Sequence, residues 1–261
     1  MSGALLLTSV NGGIAVVTLN NPPLNLVTVQ LTAALDRLLD ELARYPAVRV
    51  LILTGSGDRA FCAGSDVSEL RSLVNSGTVL DRKLIQENET YSKLADFPKP
   101  TIAAVQGVAL GGGLELAACC DLIVVEQDVK LGLPEIKLGW FPGSGGTVRV
   151  TRRIGEARAK EMMFFGEPVD AATALRWGLV NEVVEKGQAM EIAQRFAERL
   201  ALRPNLALQL CKRAIDSSFD MTESQAVEDA LRLSDTAFRS DDAKEGIRAF
   251  FAKQPPRFTH R

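Results

Sequence analysis

An apolar strand that ends in glycine and turns directly into an apolar helix limits what this chain can fold into more than any other feature. Residues 101–106 (Thr-Ile-Ala-Ala-Val-Gln) form the strand, and Gly107-Val108-Ala109-Leu110-Gly111-Gly112-Gly113-Leu114-Glu115 follows without a break. Residues 112–120 read as a helix that is apolar on every side, which predicts a buried one. A buried strand feeding a buried helix across a glycine turn belongs in an α/β core. The turn also has chemical potential. Glycine leaves backbone N–H groups open to close approach, and a helix start favours negative charge through its free N–H groups and its dipole. It is no phosphate loop, since no Gly-Lys-Ser/Thr follows, and it lacks the spacing of a dinucleotide fingerprint. Two readings remain: the N–H of Gly112 faces a ligand, or the three glycines only let the helix pack closely.

The rest of the chain alternates in the same way. Residues 5–10 and 14–19 are β-rich runs split by Asn11-Gly12-Gly13, a hairpin signal. After a loop at 20–25, residues 28–44 carry Leu31, Leu35, Leu38, Leu39 and Leu42 at helical spacing. Residues 48–53 are apolar except for Arg49 and end in Thr54-Gly55-Ser56-Gly57, the pattern of a strand buried on both faces. A short strand is expected at 60–62, helices at 67–74 and 80–94, and strands at 122–126 and 129–131. Helices are expected at 145–154, 156–165 and 171–177, and a last strand at 179–184. From 189 onward the chain is helical in three or four pieces, broken near Pro204, at 217–221 and near Ser240. This order predicts an α/β core over residues 1–190 and a helical region over 191–261.

Two carboxylates stand close to the glycine turn. Glu115 lies in the first turn of a helix whose other residues, Leu114, Leu116, Ala117, Ala118 and Cys119, are apolar or small. A carboxylate buried there is costly unless it is paired or used; one facing water would simply suit the dipole. Glu135 follows Gly132-Leu133-Pro134. Proline fixes its own φ and extends the residue before it, which can aim Glu135 inward or leave it on a surface loop. The single histidine is His260. A Ser-His-Asp or Cys-His enzyme needs a positioned imidazole, and a residue so near the end is expected to be poorly ordered. Proton transfer therefore falls to carboxylates.

Cys62, Cys119, Cys120 and Cys211 make no C-x-x-C or Cys/His zinc pattern, which argues against a metal or redox centre. Cys119 and Cys120 read as small core residues. A net charge of -2 gives no reason to expect nucleic acid or an acidic membrane surface as a partner. Neither a secretory signal nor a run of about 18 apolar residues is evident, so a reducing, cytoplasmic setting is expected.

A second glycine site, Phe61-Cys62-Ala63-Gly64-Ser65-Asp66, repeats the order of strand end, glycine and helix start. The N–H of Ser65 is a candidate second donor, and Asp66 a candidate helix cap. Two N–H groups converging on one carbonyl oxygen stabilise charge on it better than one. Pro142-Gly143-Ser144-Gly145-Gly146-Thr147 also resembles an anion loop, with a turn and helix start as its simpler role.

On these residues the chain resembles the crotonase superfamily, specifically the enoyl-CoA hydratases and isomerases. The resemblance rests on residues 60–66, on Gln106-Gly107 through Glu115, on Leu133-Pro134-Glu135 with Leu138-Gly139, and on residues 142–147. Trp177-Gly178-Leu179-Val180-Asn181 and Lys244-Glu245-Gly246 extend it in order over nearly the whole chain. It implies an α/β fold, a spiral of ββα units with a C-terminal helical trimerisation region, assembled as a homotrimer or as a homohexamer of two trimers. It implies that the N–H groups of Ser65 and Gly112 form an oxyanion hole for an acyl-CoA thioester, with Glu115 and Glu135 flanking the alkene. The carbonyl of Ala63 would meet the adenine of CoA, with Gly64, Asp66, Gly111 and Trp140 also at the substrate. Phe250 and Lys253 match a segment that reaches a neighbouring subunit's site near CoA. CoA is part of the substrate, and neither a metal nor another cofactor is implied.

The implied reaction adds water across the 2,3 double bond of a 2-enoyl-CoA to give 3-hydroxyacyl-CoA. Glu115 would activate the water, and Glu135 would deliver a proton to Cα. A double-bond isomerase commonly works with one carboxylate at the position of Glu135, so retention of Glu115 favours the hydratase; a non-catalytic CoA-binding subunit is a third reading. The chain departs from the family in three places. The loop Asn21-Pro22-Pro23-Leu24-Asn25 is short and lacks a common basic residue, Trp140-Phe141 replaces a smaller pair beside the acyl pocket, and Ser65 stands where alanine is frequent.

Overall fold

The Gly12-Gly13 turn folds the first two strands onto each other. β1 (Leu6–Asn11) and β2 (Ile14–Leu19) pair antiparallel, with Asn11 opposite Ile14. The computed structural model describes residues 4–260. Thr28 caps α1 (Val29–Arg44) by accepting from the N–H of Leu31, and the helix buries Leu31, Leu35, Leu39 and Leu42. β3 (Val50–Gly55) then pairs parallel with β2. α2 (Val67–Ser76) follows, capped by Asp66. A π-helical turn, Leu80–Leu84, leads into α3 (Ile85–Ala95). β4 (Thr101–Val105), β5 (Val108–Leu110), α4 (Gly112–Cys119), β6 (Leu122–Glu126) and β7 (Lys130–Gly132) complete the middle of the chain. Next come α5 (Gly146–Phe165), β8 (Val169–Asp170), α6 (Ala171–Trp177) and β9 (Glu182–Val184). Four helices close the described chain: α7 (Ala189–Ala201), α8 (Asn205–Ser217), α9 (Glu223–Phe238) and α10 (Asp241–Ala252).

The main sheet has the order β1-β2-β3-β4-β6-β9, parallel except for the first pair, and β5, β7 and β8 form a small second sheet. Alternation within each strand sorts residues onto two faces. Val17, Leu53, Ala103 and Ile123 lie in register on one face and join the core with α1, α3 and α4. Val50, Ile52, Ile102, Ala104 and Val124 face the other way, against Ala189, Ala193, Ala197 and Ala201 of α7. The unbroken apolar run of β3 therefore reflects a strand covered on both sides, and the four-residue alanine spacing lets α7 approach the sheet closely.

The structure departs from expectation at five points. Residues 60–62 are not a strand: Cys62 makes an isolated bridge to Ala109. β5 forms inside what read as one glycine turn, because its three residues find a parallel partner in β7. The last strand is only Glu182–Val184, and the two-residue β8 was not anticipated. Near the end, His260 is packed rather than frayed. Its Nδ1 is buried, and the neighbouring Thr259 donates its N–H to the buried Asp242 carboxylate at 2.6 Å.

Candidate active site

Two chain segments cross at the glycine sites, and their hydrogen bonds fix what each backbone donor can do. Residues 60–63 run beside β5: Phe61 N–H donates to Gln106 C=O (2.7 Å), Cys62 N–H to Val108 C=O (3.2 Å) and Leu110 N–H to Cys62 C=O (3.1 Å). On the other side Val27 N–H donates to Gly64 C=O (2.9 Å), and Val27 C=O accepts from Asp66 N–H (3.0 Å). These bonds use the groups flanking Ser65 and leave its own N–H without a partner among the described residues. Gly111 has φ 52° and ψ −128°, a conformation only glycine adopts readily. It turns the chain so that Gly112 opens α4 with its N–H equally unpaired. The two sites touch. A methyl group on Gly112 would lie 3.5 Å from Ser65 Oγ, and one on Gly111 would lie 3.8 Å from the Gly64 Cα.

Glu115 projects from the first turn of α4 and is 3% exposed. Its Oε1 accepts from the N–H groups of Ser144 (2.9 Å) and Gly146 (2.8 Å), where the chain enters α5. Burial pushes this carboxyl up to about 8, against those two donors and with help from the nearby Glu135 and Glu87 charges. Glu135 opens a 3₁₀ turn, Glu135–Leu138, after Pro134. Its Oε1 lies over the bare face of Gly111, 3.1 Å from where a Cβ would stand. Burial pushes Glu135 up to about 7, opposed by its own backbone N–H and reinforced by Glu87. Its Oε2 is buried and accepts no hydrogen bond. Both glutamates thus turn inward.

A cavity of about 350 Å³ collects these groups. Ala63, Gly64, Ser65, Gly111, Gly112, Glu115, Glu135 and Trp140 all line it. Asp66 stands just outside, accepting from the N–H groups of Ser68 (2.8 Å) and Glu69 (3.2 Å) to cap α2. Phe250 and Lys253 lie at the end of α10, outside this lining, and Phe250 is 78% exposed.

Three further residues at the site, Lys83, Glu87 and Tyr91, were not singled out from the sequence, and Ser144 was named only within the expected anion loop. Lys83 and Glu87 form an ion pair at 3.1 Å, each side chain 2% exposed. Ser144 donates its hydroxyl to Glu87 Oε1 at 2.9 Å while its N–H serves Glu115. Tyr91 donates to the carbonyl of Gly112 at 3.1 Å. Lys83, Glu87 and Tyr91 recur every four residues along one face, the face that α3 turns toward the core. That spacing is a usable signal only once the buried face is known, because an i,i+4 Lys–Glu pair is also common on solvated helices.

Chemically, the arrangement sets two unpaired N–H groups and two carboxyls raised toward neutral pH along one cavity. Among the described residues no three His, Cys, Asp or Glu side chains are grouped to hold a metal ion, and no helix is long and apolar enough to cross a membrane.

The family described as enoyl-CoA hydratase/isomerase matches residues 9–261. A protein of Rhizobium meliloti (strain 1021) named "Probable enoyl-CoA hydratase" is 38% identical over 262 residues, covering 100% of both chains. The "Short-chain-enoyl-CoA hydratase" of Clostridium acetobutylicum is 36% identical over 245 residues, 93% of each chain. The crystal structure of an enoyl-CoA hydratase from Bacillus anthracis superposes with a TM-score of 0.94 at 32% identity, covering 99% of this chain and 100% of that one.

Proposed function

The chain belongs to the enoyl-CoA hydratase/isomerase family, and from that premise we propose that it adds water across the 2,3 double bond of short 2-enoyl-CoA thioesters. The observation that carries this reading is the placement of both Glu115 and Glu135 in one pocket with the two free N–H groups. In the proposed reaction the thioester oxygen accepts from Ser65 and Gly112. Addition at Cβ pushes negative charge onto that oxygen, and each fixed donor stabilises it by roughly 3 kcal/mol. Glu115 takes a proton from the attacking water, and Glu135 gives one to Cα. Burial raises both carboxyls, Glu115 to about 8 and Glu135 to about 7, and the Glu135 charge adds to the rise at Glu115. With Glu115 as the base, the reacting state has Glu115 ionised and Glu135 protonated, the reverse of the order in which burial alone fills them. The reaction calls on no metal and no cofactor beyond the CoA of the substrate. The subunit is proposed to work in a homotrimer or a homohexamer of two trimers, in which Phe250 and Lys253 reach a neighbour's CoA.

Crotonyl-CoA and a 3-enoyl-CoA, offered separately, test the assignment through the absorbance of the conjugated thioester. The expected outcome is loss of conjugation from crotonyl-CoA with formation of 3-hydroxybutyryl-CoA. Faster appearance of conjugation from the 3-enoyl thioester would make the protein an isomerase, and inertness toward both would leave it a binding subunit.

A further inference from the structure

The proposed hydration does not use Lys83 and Glu87, yet both line the cavity while almost completely removed from water. A buried ion pair is no bargain for stability, since apolar residues of similar size often serve as well or better. Its place in the pocket is specific. Glu87 Oε1 lies 3.6 Å from where a Cβ on Gly112 would stand, next to one of the two free N–H donors. Around it the walls are apolar, with Leu70, Val74, Val79 and Leu84 on that side.

Lys83 is fully engaged. Its Nζ reaches Glu87 Oε2 (3.1 Å), the carbonyl of Val27 (3.4 Å) and Glu69 Oε2 (3.5 Å). Glu87 is not. Oε1 accepts one hydrogen bond, from Ser144, and the buried Oε2 accepts none, facing Lys83 only as an ion pair. A carboxylate has about four acceptor positions, so Glu87 presents free acceptor capacity, and the one unpaired donor beside it is the Gly112 N–H already assigned to the thioester oxygen. An acyl chain that ends in hydrocarbon there covers a charged oxygen without satisfying it, which is costly. A second carboxylate meets three glutamates.

We propose that Glu87 reads a hydroxyl on the acyl chain: the preferred substrate is a short acyl-CoA carrying a hydrogen-bond donor one or two carbons beyond the alkene. This rests on the acyl-CoA reading of the site and not on the reaction performed there. Glu87 accepts the hydroxyl proton, Ser144 and Lys83 hold the carboxylate in place, and the apolar walls take the remaining carbons.

Titration calorimetry with the purified full chain tests it without catalysis, using two saturated thioesters of nearly equal shape, 4-hydroxybutyryl-CoA and pentanoyl-CoA. The native protein is expected to bind the hydroxy compound at least about tenfold more tightly, as a hydrogen bond to a charged acceptor allows. In the double variant Lys83→Met/Glu87→Leu the floor is apolar, and the preference should reverse toward pentanoyl-CoA. Glu87→Gln carries the same test if the double variant does not fold, with the preference reduced several-fold. Equal binding of both thioesters by the native protein, or a preference that survives in the variants, overturns the proposal while leaving an acyl-CoA site. Failure of both thioesters to bind overturns the proposal and the acyl-CoA reading together.

Discussion

Glu115 is a carboxyl in a nearly dry pocket, and this one residue sets both a catalytic and a stability expectation. Glu115→Gln and Glu135→Gln keep the shape and lose the proton, so each should cut crotonyl-CoA hydration at least about 100-fold, the usual scale for loss of a general acid or base, with an unchanged circular dichroism spectrum. Near-normal hydration by either variant would remove it from the chemistry. The stability consequence has a definite sign. The unfolded chain releases the Glu115 proton around 4.5, whereas the folded chain keeps it to about 8. Between those values the folded state binds more protons, so the contribution is complete below the lower value and is lost as pH rises toward 8. Glu115→Gln removes this dependence. Its stability relative to the native protein should improve by a few kcal/mol, in order of magnitude, from pH 5 to pH 8, read from urea midpoints; a constant difference would contradict it. Glu115 was legible as a candidate because no neutral polar neighbour in its helix explained a charge there. Glu87 was not, because Lys83 and Glu87 have the spacing of an ordinary surface pair and only tertiary packing reveals that the π-helical turn and α3 point them inward.

At the scale of elements, the site depends on where helices begin. α4 opens with the free N–H of Gly112, and α5 opens with donors to the Glu115 carboxylate. The two helix starts must meet closely, which leaves no room at Gly146. A Cβ there would stand 2.9 Å from Glu115 Oε1 and 3.0 Å from the Pro142 Cβ. Gly146→Ala should therefore push the Glu115 carboxylate out of place. We expect hydration to fall by more than about tenfold, since sub-ångström misplacement of a catalytic group is expensive, while the melting temperature shifts by only a few degrees. A rate equal to the native one would show that the carboxylate relocates without consequence. Long elements were readable from period and composition: α1 by its leucine spacing, β3 by its unbroken apolar run. Short ones were not. β5 and β8 have three and two residues and exist because β7 lies between them. Residues 60–62 have strand composition but find one bridge partner rather than a ladder. Local sequence carries no information about such partners.

The whole molecule carries an apolar surface that a solitary subunit has no use for. Val227, Leu231 and Phe238 share one face of α9, and Ile247, Phe250 and Phe251 share one face of α10, all exposed. Large apolar side chains exposed along one helix face are candidates for an interaction surface. They lie on the helices that follow the sheet-covering α7, so the sheet core is already closed without them. The family resemblance supplies the expectation of a trimer in which Phe250 reaches a neighbour's site, and the exposed Phe250 lies outside the pocket of its own chain, as that expectation requires. Assembly and CoA binding should then fail together. Light scattering on the native chain is expected to give three or six subunits. The double variant Leu231→Asp/Phe238→Asp, which puts two charges within the α9 face, should dissociate it to single subunits that keep their helical content. Because both substitutions lie outside the pocket lining, a merely local effect would leave the KM for crotonyl-CoA alone, whereas loss of a neighbour's Phe250 and Lys253 should raise it about tenfold or more. Phe250→Ala in the intact assembly should raise KM without changing the number of subunits. A native chain that is monomeric and fully active would show that the apolar helices serve another partner and that the site is complete within one subunit.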